Sequence, residues 1–342
     1  MSLGKRMRSR REQVKDRKVK RDADGERDRR VFLTRPIAEP AMRRLAAIAR
    51  VDLWDDEMPP PPAELRARAR QADGVLSMVT DRFDAAMIRA LPRLRAISNL
   101  AVGVDNIDLA AATRAGIAIG HTPGILTETT ADLAFALLMA AARRIAEGDR
   151  YVRGGRWRTW GPKVMLGRDI HGATLGIIGW GAIGQAMARR AAGFGMRVLG
   201  WSRTPREVPG VTRASLETLL SESDFVSLHV ALADETRGLL DAAAIARMKP
   251  GAILVNTTRG GVLDEDALVR ALRDGPLAAA ALDVFEREPL PPSSPLLTLP
   301  NVVLTPHIGS ASIATRTQMA ELAVANLLAG LEGRPLPHAA RG

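Results

Sequence analysis

The stretch ATLGIIGWGAIGQAMARR, residues 173–190, decides the fold. An apolar run leads directly into three glycines, Gly179, Gly181 and Gly184, and these open a segment with the composition of a helix. In a strand–turn–helix unit the first glycine permits a tight turn, the second lets a ligand approach the backbone, and the third lets helix and strand pack closely. The helix N-terminus attracts anions. The stretch therefore predicts a pyrophosphate-binding turn rather than a purely structural one.

The alternation of strands and helices continues on both sides of this turn. The predicted binding residues, here called the fingerprint turn, are Gly179, Trp180, Gly181, Ala182, Ile183 and Gly184. Strands are predicted near 31–34, 51–54, 74–78, 96–100 and 116–120, and again near 174–179, 196–201, 224–230, 252–256, 278–283 and 301–305. This pattern predicts an α/β protein with parallel sheets. The later set has the six strands of a doubly wound dinucleotide-binding domain.

A chain of 342 residues is long enough for two domains. We predict a dinucleotide-binding domain at 125–307 and a smaller, discontinuous domain built from 31–124 and 308–338. The final helix would close the smaller domain. A long apolar helix near 127–147, with Thr127 at its N-cap, is expected to be buried on more than one side. Such a helix suits contact with another domain or subunit.

The first 30 residues differ from the rest of the chain. They hold 13 Lys and Arg against 6 Asp and Glu, and so account for most of the net charge of +11. Almost no apolar residue interrupts them, which predicts a disordered basic tail at 1–30. A nucleic-acid-binding arm is the alternative. We do not expect a nucleic-acid partner, because no aromatic residue lies within the charged run.

Composition excludes several classes of protein. The chain has no cysteine, which removes disulfides, thiolate metal sites and cysteine nucleophiles. Its five histidines lack metal-ligand spacing, so no metal site is predicted. No apolar run reaches the roughly 18 residues that a membrane span needs, and no signal-peptide core is visible. We therefore expect a cytoplasmic protein without membrane contact.

The strand after the fingerprint turn ends with an unexpected charge. The stretch VLGWSRT, residues 198–204, places Ser202, Arg203 and Thr204 where an NAD-binding domain usually has an acid for the ribose 2′-hydroxyl. A guanidinium flanked by hydroxyl groups suits a 2′-phosphate instead. We predict that NADP(H) is preferred, with NAD(H) as the alternative. A solvated arginine that tolerates either cofactor is the competing interpretation.

Several long motifs carry a family resemblance. They are NLAVGVDNIDL (99–109), HTPGILTETTADLAFALLMA (121–140), VNTTRGGVLDEDAL (255–268), ALDVFEREPL (281–290) and NVVLTPHIGSAS (301–312). Over residues 31–338 the sequence resembles the D-isomer-specific 2-hydroxyacid dehydrogenases, most closely the glyoxylate/hydroxypyruvate reductase branch. The resemblance implies that the smaller domain binds substrate and has a flavodoxin-like fold.

The resemblance also implies three catalytic residues, Arg259, Glu288 and His307. Each residue type suits its implied task. His307 would donate a proton to the carbonyl oxygen. Glu288 would orient the imidazole and stabilise its charged form. Arg259 would hold the substrate carboxylate and its neighbouring oxo group.

Further substrate contacts follow from the same resemblance. Val102 and Gly103 would bind the substrate carboxylate through backbone N–H groups, unless they only form a strand-end turn. Trp160 matches an aromatic residue that relatives insert into the site of a partner subunit, unless it merely packs its own loop. Together with the long apolar helix, the Trp157–Trp160 loop predicts a homodimer.

On the cofactor side, the resemblance places Thr257 and Thr258 beside the nicotinamide and Asp283 at its carboxamide. A loop cap is the alternative role for Asp283. At position 258 a smaller residue is more usual in the family.

The function implied is hydride transfer from NADPH to small 2-oxo acids, glyoxylate and hydroxypyruvate first, to give D-2-hydroxy acids. Another D-2-hydroxyacid dehydrogenase, such as phosphoglycerate dehydrogenase, is less favoured because the chain ends at Gly342 without an appended domain. A dinucleotide-sensing, corepressor-like binding protein is the alternative from a different class. The intact catalytic residues favour an enzyme.

Overall fold

The computed structural model describes residues 29–204 and 208–340. They divide into two compact units. The first unit runs to Ile125 and resumes at Ile313, and the second unit is Leu126–Ser312. The sequence pattern predicts 125–307 for the second of these. The two α/β units with parallel sheets confirm the predicted fold class.

In the described part of the chain, five parallel strands form the sheet of the first unit, in the order β2-β1-β3-β4-β5. The strands are β1 (Arg30–Leu33), β2 (Arg50–Leu53), β3 (Gly74–Ser77), β4 (Ala96–Asn99) and β5 (Ala118–Gly120). The helices are α1 (Glu39–Ala46), α2 (Pro62–Ala69), α3 (Ala85–Arg89), α4 (Leu109–Arg114) and the last helix of the chain, α11 (Ile313–Leu331). This strand order is that of flavodoxin-like folds.

The last helix completes the core of the first unit. Along α11, Ala323 and Leu327 are fully buried, and they pack in one cluster with Val31 and Leu76 of the sheet. Backbone contact is close, since a Cβ atom on Gly120 would lie 2.6 Å from the Cβ of Asn326. The sheet therefore needs this distant segment to cover one of its apolar faces.

Among the described residues, seven parallel strands form the sheet of the second unit, in the order β12-β11-β10-β9-β6-β7-β8. They are β6 (Thr174–Ile178), β7 (Arg197–Trp201), β8 (Thr212–Arg213), β9 (Phe225–Leu228), β10 (Ile253–Asn256), β11 (Ala279–Leu282) and β12 (Val302–Leu304). The helices are α5 (Thr127–Ala142), α6 (Ile145–Arg153), α7 (Ala182–Gly193), α8 (Leu216–Glu222), α9 (Ala242–Ala246) and α10 (Glu265–Arg273). The short β8 has no counterpart among the predicted strands.

The long apolar helix is shorter than predicted. It ends at Ala142, and Arg144 then adopts the left-handed conformation with φ of 54° before α6 begins. The Arg144 guanidinium donates to both carboxylate oxygens of Glu147 at 2.9 and 2.8 Å, which stabilises the start of α6. A local turn and its ion pair thus interrupt the apolar pattern.

One further expectation about α5 is wrong. Its N-cap is Leu126 rather than Thr127. Its apolar residues, among them Phe135 and Leu138, are buried with Met187 of α7 in a core cluster of the second unit itself. The helix therefore has a place inside its own chain and does not by itself call for a second subunit.

The predicted tail lies outside the described residues except for its last two positions. There the prediction is wrong, because Arg30 begins β1 and its backbone N–H donates to Asp73 at 2.9 Å. The neighbouring Arg29 forms an ion pair with Glu332 at 3.6 Å. The hydrogen bonds between β1 and β2, together with Asp73 and Glu332, therefore hold the two arginines in place.

Candidate active site

The fingerprint turn follows β6 directly. Gly179 has φ of 109°, a left-handed value that favours glycine, and a Cβ there would lie 2.5 Å from the His229 carbonyl group. A Cβ on Gly184 would collide with the carbonyl oxygen of Gly179. By contrast, a Cβ on Gly181 would meet no other described residue within 4 Å. Two glycines serve packing, and the third leaves open space in front of the backbone.

This open space fits a dinucleotide. Helix α7 begins at Ala182, and no side chain of the described residues caps it at Gly181. Its first N–H groups, which include those of Ala182, Ile183 and Gly184, are therefore available to a pyrophosphate. The turn also lies where the strand order reverses, between β6 and β9, the position at which doubly wound sheets bind ligands.

Two residues with large buried side chains, Trp180 and His229, lie at the fingerprint turn. Trp180 is buried, and its ring packs so closely on Gly200 of β7 that a Cβ at position 200 would collide with it. His229 is buried after β9, with Nε2 2.8 Å from the Ser227 hydroxyl. Burial lowers the pKa of His229 to about 3, so this imidazole is neutral. The Trp180 ring thus fixes the turn against β7, and the His229 backbone packs against Gly179.

The predicted ribose-binding residues lie together at the end of β7. The Ser202 hydroxyl donates to the carbonyl oxygen of Thr204 at 2.6 Å. The side chain of Arg203 is exposed, and its Nη1 lies 3.1 Å from Oε2 of Glu235. The sequence pattern did not indicate Glu235, which comes from the loop after β9.

The two residues expected to handle the proton are paired directly. Nδ1 of His307 lies 2.7 Å from Oε2 of Glu288, and the other carboxylate oxygen accepts from the backbone N–H of Phe285 at 3.0 Å. His307 itself has a left-handed φ of 54°. Because Nδ1 faces the carboxylate, Nε2 is the ring nitrogen left for chemistry.

Glu288 remains ionised at neutral pH. Burial is the largest effect and raises the pKa of its carboxyl group. The hydrogen bond and charge of His307, the N–H of Phe285 and the charge of Arg259 together outweigh burial, so the pKa is lowered overall. An ionised carboxylate at Nδ1 can orient the ring and leaves Nε2 as the nitrogen from which a proton could be donated.

Asp283 fixes the segment that carries His307. Its Oδ1 accepts from the Thr305 hydroxyl at 2.6 Å and from the N–H of Ile308 at 2.8 Å. Its Oδ2 accepts from the N–H of Gly309 at 2.8 Å, and its carbonyl oxygen accepts from the N–H of His307 at 2.9 Å. The loop-cap role is therefore present in the structure. A contact with the nicotinamide stays a prediction.

The segment after β10 positions Arg259. Asn256 Nδ2 donates to the carbonyl oxygen of Arg259 at 3.0 Å, while Asn256 Oδ1 accepts from the N–H and the hydroxyl of Thr258, each at 3.0 Å. Thr257 is buried, and its hydroxyl has no hydrogen-bond partner among the described residues. Asn256 was not predicted, although a buried amide at a strand end is a recurrent signal for a braced turn.

In the first unit, an amide network holds the loop of Val102 and Gly103. Asn99 Nδ2 donates to the carbonyl oxygen of Gly103 at 2.9 Å and to Oδ1 of Asn106 at 3.1 Å. Asn106 Nδ2 donates in turn to the carbonyl oxygen of Asp81 at 2.8 Å. The predicted carboxylate-binding loop is thus fixed by side chains that the sequence pattern did not indicate.

Trp160 does not join the catalytic residues in the structure. Its side chain is 79% exposed, and that of Trp157 is also exposed. The interpretation that Trp160 packs its own loop is therefore wrong. Its predicted role in a partner subunit stays a prediction.

The described residues contain no group of three or more His, Cys, Asp or Glu that is arranged to hold a metal ion. None of their helices is both long enough and apolar enough to cross a membrane.

Comparisons with known proteins agree with this geometry. The model of the family described as "D-isomer specific 2-hydroxyacid dehydrogenase, NAD binding domain" matches residues 135–309. The glyoxylate reductase of Korarchaeum cryptofilum (strain OPF8) is 52% identical over 314 residues, which cover 90% of this chain and 95% of that protein.

Solved structures are similar over nearly the whole length. The TT0316 protein from Thermus thermophilus is 50% identical with a TM-score of 0.87, and the match covers 91% of this chain and 99% of that one. An NADPH-dependent glyoxylate/hydroxypyruvate reductase from Sinorhizobium meliloti, in complex with NADP and malonate, is 32% identical with a TM-score of 0.82; coverage is 91% and 96%.

The chain belongs to the D-isomer-specific 2-hydroxyacid dehydrogenase family, in its glyoxylate reductase branch. It is an NAD(P)-dependent dehydrogenase that uses a nicotinamide dinucleotide and interconverts 2-oxo and 2-hydroxy acids.

Proposed function

We propose that this enzyme is an NADPH-dependent reductase of glyoxylate and hydroxypyruvate. Its products are the 2-hydroxy acids, of D configuration where the new centre is chiral. The observation that carries the proposal is the pairing of His307 with ionised Glu288, 2.7 Å apart, at the carboxyl edge of the sheet that also holds the fingerprint turn. Relatives named glyoxylate reductase support the choice of substrates.

The residues divide the work of reduction. The bound cofactor supplies the hydride. His307 gives its Nε2 proton to the carbonyl oxygen, and Glu288 stabilises the imidazolium beforehand through Nδ1. Arg259 holds the substrate carboxylate with its guanidinium fork. Backbone N–H groups of Val102 and Gly103 are proposed as further carboxylate contacts.

Preference for NADPH rests on the end of β7. The guanidinium of Arg203, with Ser202 and Thr204 beside it, would bind the 2′-phosphate. Thr257, Thr258 and Asp283 are proposed on the nicotinamide side. The S. meliloti relative, named as NADPH-dependent, supports this assignment.

A panel of 2-oxo acids tests the function, with consumption of NADPH and of NADH followed by absorbance. We expect the highest kcat/KM for glyoxylate and hydroxypyruvate with NADPH. Equal efficiency with NADH would contradict the cofactor assignment, and faster reduction of larger 2-oxo acids would contradict the substrate assignment. A protein that binds cofactor without turnover would support the corepressor-like alternative.

We also propose that the enzyme is a homodimer. The supporting observation is a run of exposed large apolar side chains within residues 145–166 of the second unit: Ile145, Val152, Trp157, Trp160, Val164 and Leu166. Exposed apolar groups in such number suit a subunit interface. Sedimentation equilibrium at micromolar concentration tests this proposal, and a fully active monomer would contradict it.

A further inference from the structure

We propose that Glu235 is a cofactor-selecting residue that opposes Arg203 and lets the site accept NADH as well as NADPH. This inference rests on the proposed function, because it takes the 2′ position of the cofactor to lie at Arg203. Glu235 supplies the acidic residue that NAD-binding domains usually have near the ribose 2′-hydroxyl. The acid absent from the end of β7 is present in the structure, but it comes from another loop.

The ion pair is the first observation. Nη1 of Arg203 lies 3.1 Å from Oε2 of Glu235, and the two residues are separated by 32 positions in the sequence. Arg203 follows β7 and Glu235 follows β9, the two strands on either side of β6. Since β6 leads into the fingerprint turn, both charges lie at the same edge of the sheet as the predicted pyrophosphate site.

The loop that carries Glu235 is anchored, which is the second observation. The neighbouring Thr236 is buried, and its hydroxyl donates to the carbonyl oxygen of Ala231 at 2.6 Å and accepts from the N–H of Ala233 at 2.8 Å. Beyond it, the N–H of Gly238 donates to the carbonyl oxygen of Gly261 at 2.9 Å. The backbone therefore holds Glu235 within reach of Arg203.

Charge determines what this arrangement recognises. A 2′-phosphate carries close to two negative charges, so a carboxylate beside its arginine both competes for the guanidinium and repels the phosphate. A 2′-hydroxyl has the opposite requirement. It donates a hydrogen bond to a carboxylate, as it does to the acid that ends the second strand in NAD-binding domains. Glu235 thus weakens NADPH binding and strengthens NADH binding at one site.

The test compares Glu235→Gln with a matched control. Glu222 forms the same kind of exposed pair at the opposite end of β7, where its Oε2 lies 2.8 Å from Nη2 of Arg197. Glu222→Gln therefore breaks an Arg–Glu ion pair at the start of β7 without changing the charge near Arg203. Titration calorimetry would measure the affinity of both variants and the parent for 2′,5′-ADP and for 5′-ADP.

We expect Glu235→Gln to bind 2′,5′-ADP about three- to tenfold more tightly, as removal of one exposed charge near a phosphate should allow. Binding of 5′-ADP should weaken, because the ribose 2′-hydroxyl loses its carboxylate acceptor, and Glu222→Gln should change neither affinity. In kinetics, the ratio of kcat/KM for NADPH to that for NADH should rise by a similar factor. Equal changes for the two nucleotides, or no change, would overturn the role of Glu235.

The same data separate this inference from the proposed function. A parent enzyme that prefers NADH would contradict the proposed cofactor preference. Even with such a parent enzyme, tighter binding of 2′,5′-ADP by Glu235→Gln would support the role of Glu235 in cofactor selection. If the parent prefers NADPH and Glu235→Gln leaves the affinity for 2′,5′-ADP unchanged, the inference fails and the proposed function stands.

Discussion

Each unit carries a buried aspartate near the carboxyl edge of its sheet, and the two aspartates use their oxygens differently. In the second unit, both oxygens of Asp283 accept hydrogen bonds. In the first unit, Oδ2 of Asp81 accepts from the Thr34 hydroxyl at 2.5 Å and from the N–H of Met78 at 2.7 Å. Its Oδ1 is buried without a hydrogen-bond partner among the described residues.

This difference matches the group that each edge is predicted to present to the substrate. Asp283 fixes the segment that carries His307, a residue whose backbone is in a strained left-handed conformation. Asp81 belongs to the network that holds the Val102–Gly103 loop, where backbone groups are expected to act. Burial raises the pKa of both carboxyl groups, opposed by their hydrogen bonds. In this protein the carboxylate is fully hydrogen-bonded at the edge predicted to position a catalytic side chain, and only partly at the edge predicted to present backbone groups.

The largest effect should come from His307→Ala. Loss of the proton donor should lower kcat by about 10²–10⁴-fold while NADPH binding persists. The first unit offers its own histidine for comparison: Nδ1 of His121 lies 2.9 Å from the carbonyl oxygen of Val102. His121→Ala should act mainly on KM for the 2-oxo acid. A loss of kcat as large as that of His307→Ala would break the contrast between the two edges.

The next effect concerns the aspartates themselves. Asp283→Asn sets an amide N–H₂ against a backbone N–H donor and should displace His307, which lowers kcat/KM by about 10²-fold. Asp81→Asn can turn its amide nitrogen to the unpartnered position and keep both accepted bonds, so kcat should be nearly unchanged. Steady-state kinetics with glyoxylate would measure both variants. Equal losses would show that the difference in bonding is without consequence.

Local patterns in the sequence predicted much of this arrangement. The fingerprint turn was predictable because its three glycines lie close together in the sequence and directly follow an apolar strand. The family resemblance implied that Glu288 and His307 act together, and the structure places them 2.7 Å apart.

What could not be predicted depends on tertiary partners. The end of α5 is set by the turn at Arg144 and its ion pair with Glu147, which the continuous apolar pattern hides. The hydrogen bonds among Asn99, Asn106 and Asp81 join neighbouring segments at one edge of the sheet. The sequence pattern around each asparagine does not indicate which residue it will bond. Glu235 was missed for the same reason, since its partner lies 32 positions away.

The smallest effect is a pH dependence of stability at Asp81. Its folded-state pKa is raised from 3.8, chiefly by burial, so the folded state binds a proton more tightly than the unfolded state. Relative to Asp81→Asn, the parent should therefore gain stability as pH falls through the folded-state pKa. Urea unfolding from pH 7 to below 3.8, the ordinary pKa of an aspartate, would measure the difference.

A nearby acid provides the control of opposite sign. The pKa of Asp84 is lowered, first by the hydrogen bond from the N–H of Met87. Relative to Asp84→Asn, the parent should lose stability as pH falls through that lowered pKa. Changes of the same sign for both variants would contradict the assignment of Asp81 as a carboxyl group destabilised by burial.

The placement of α11 has a consequence for biosynthesis. The second unit is one continuous segment, Leu126–Ser312, and so can fold as soon as it leaves the ribosome. The sheet of the first unit emerges earlier, but α11, which covers one of its faces, is translated after the whole second unit. Throughout synthesis of the intervening residues, side chains such as Leu33 and Leu76 lack their final covering. The first unit can therefore complete its core only after the whole second unit has been translated.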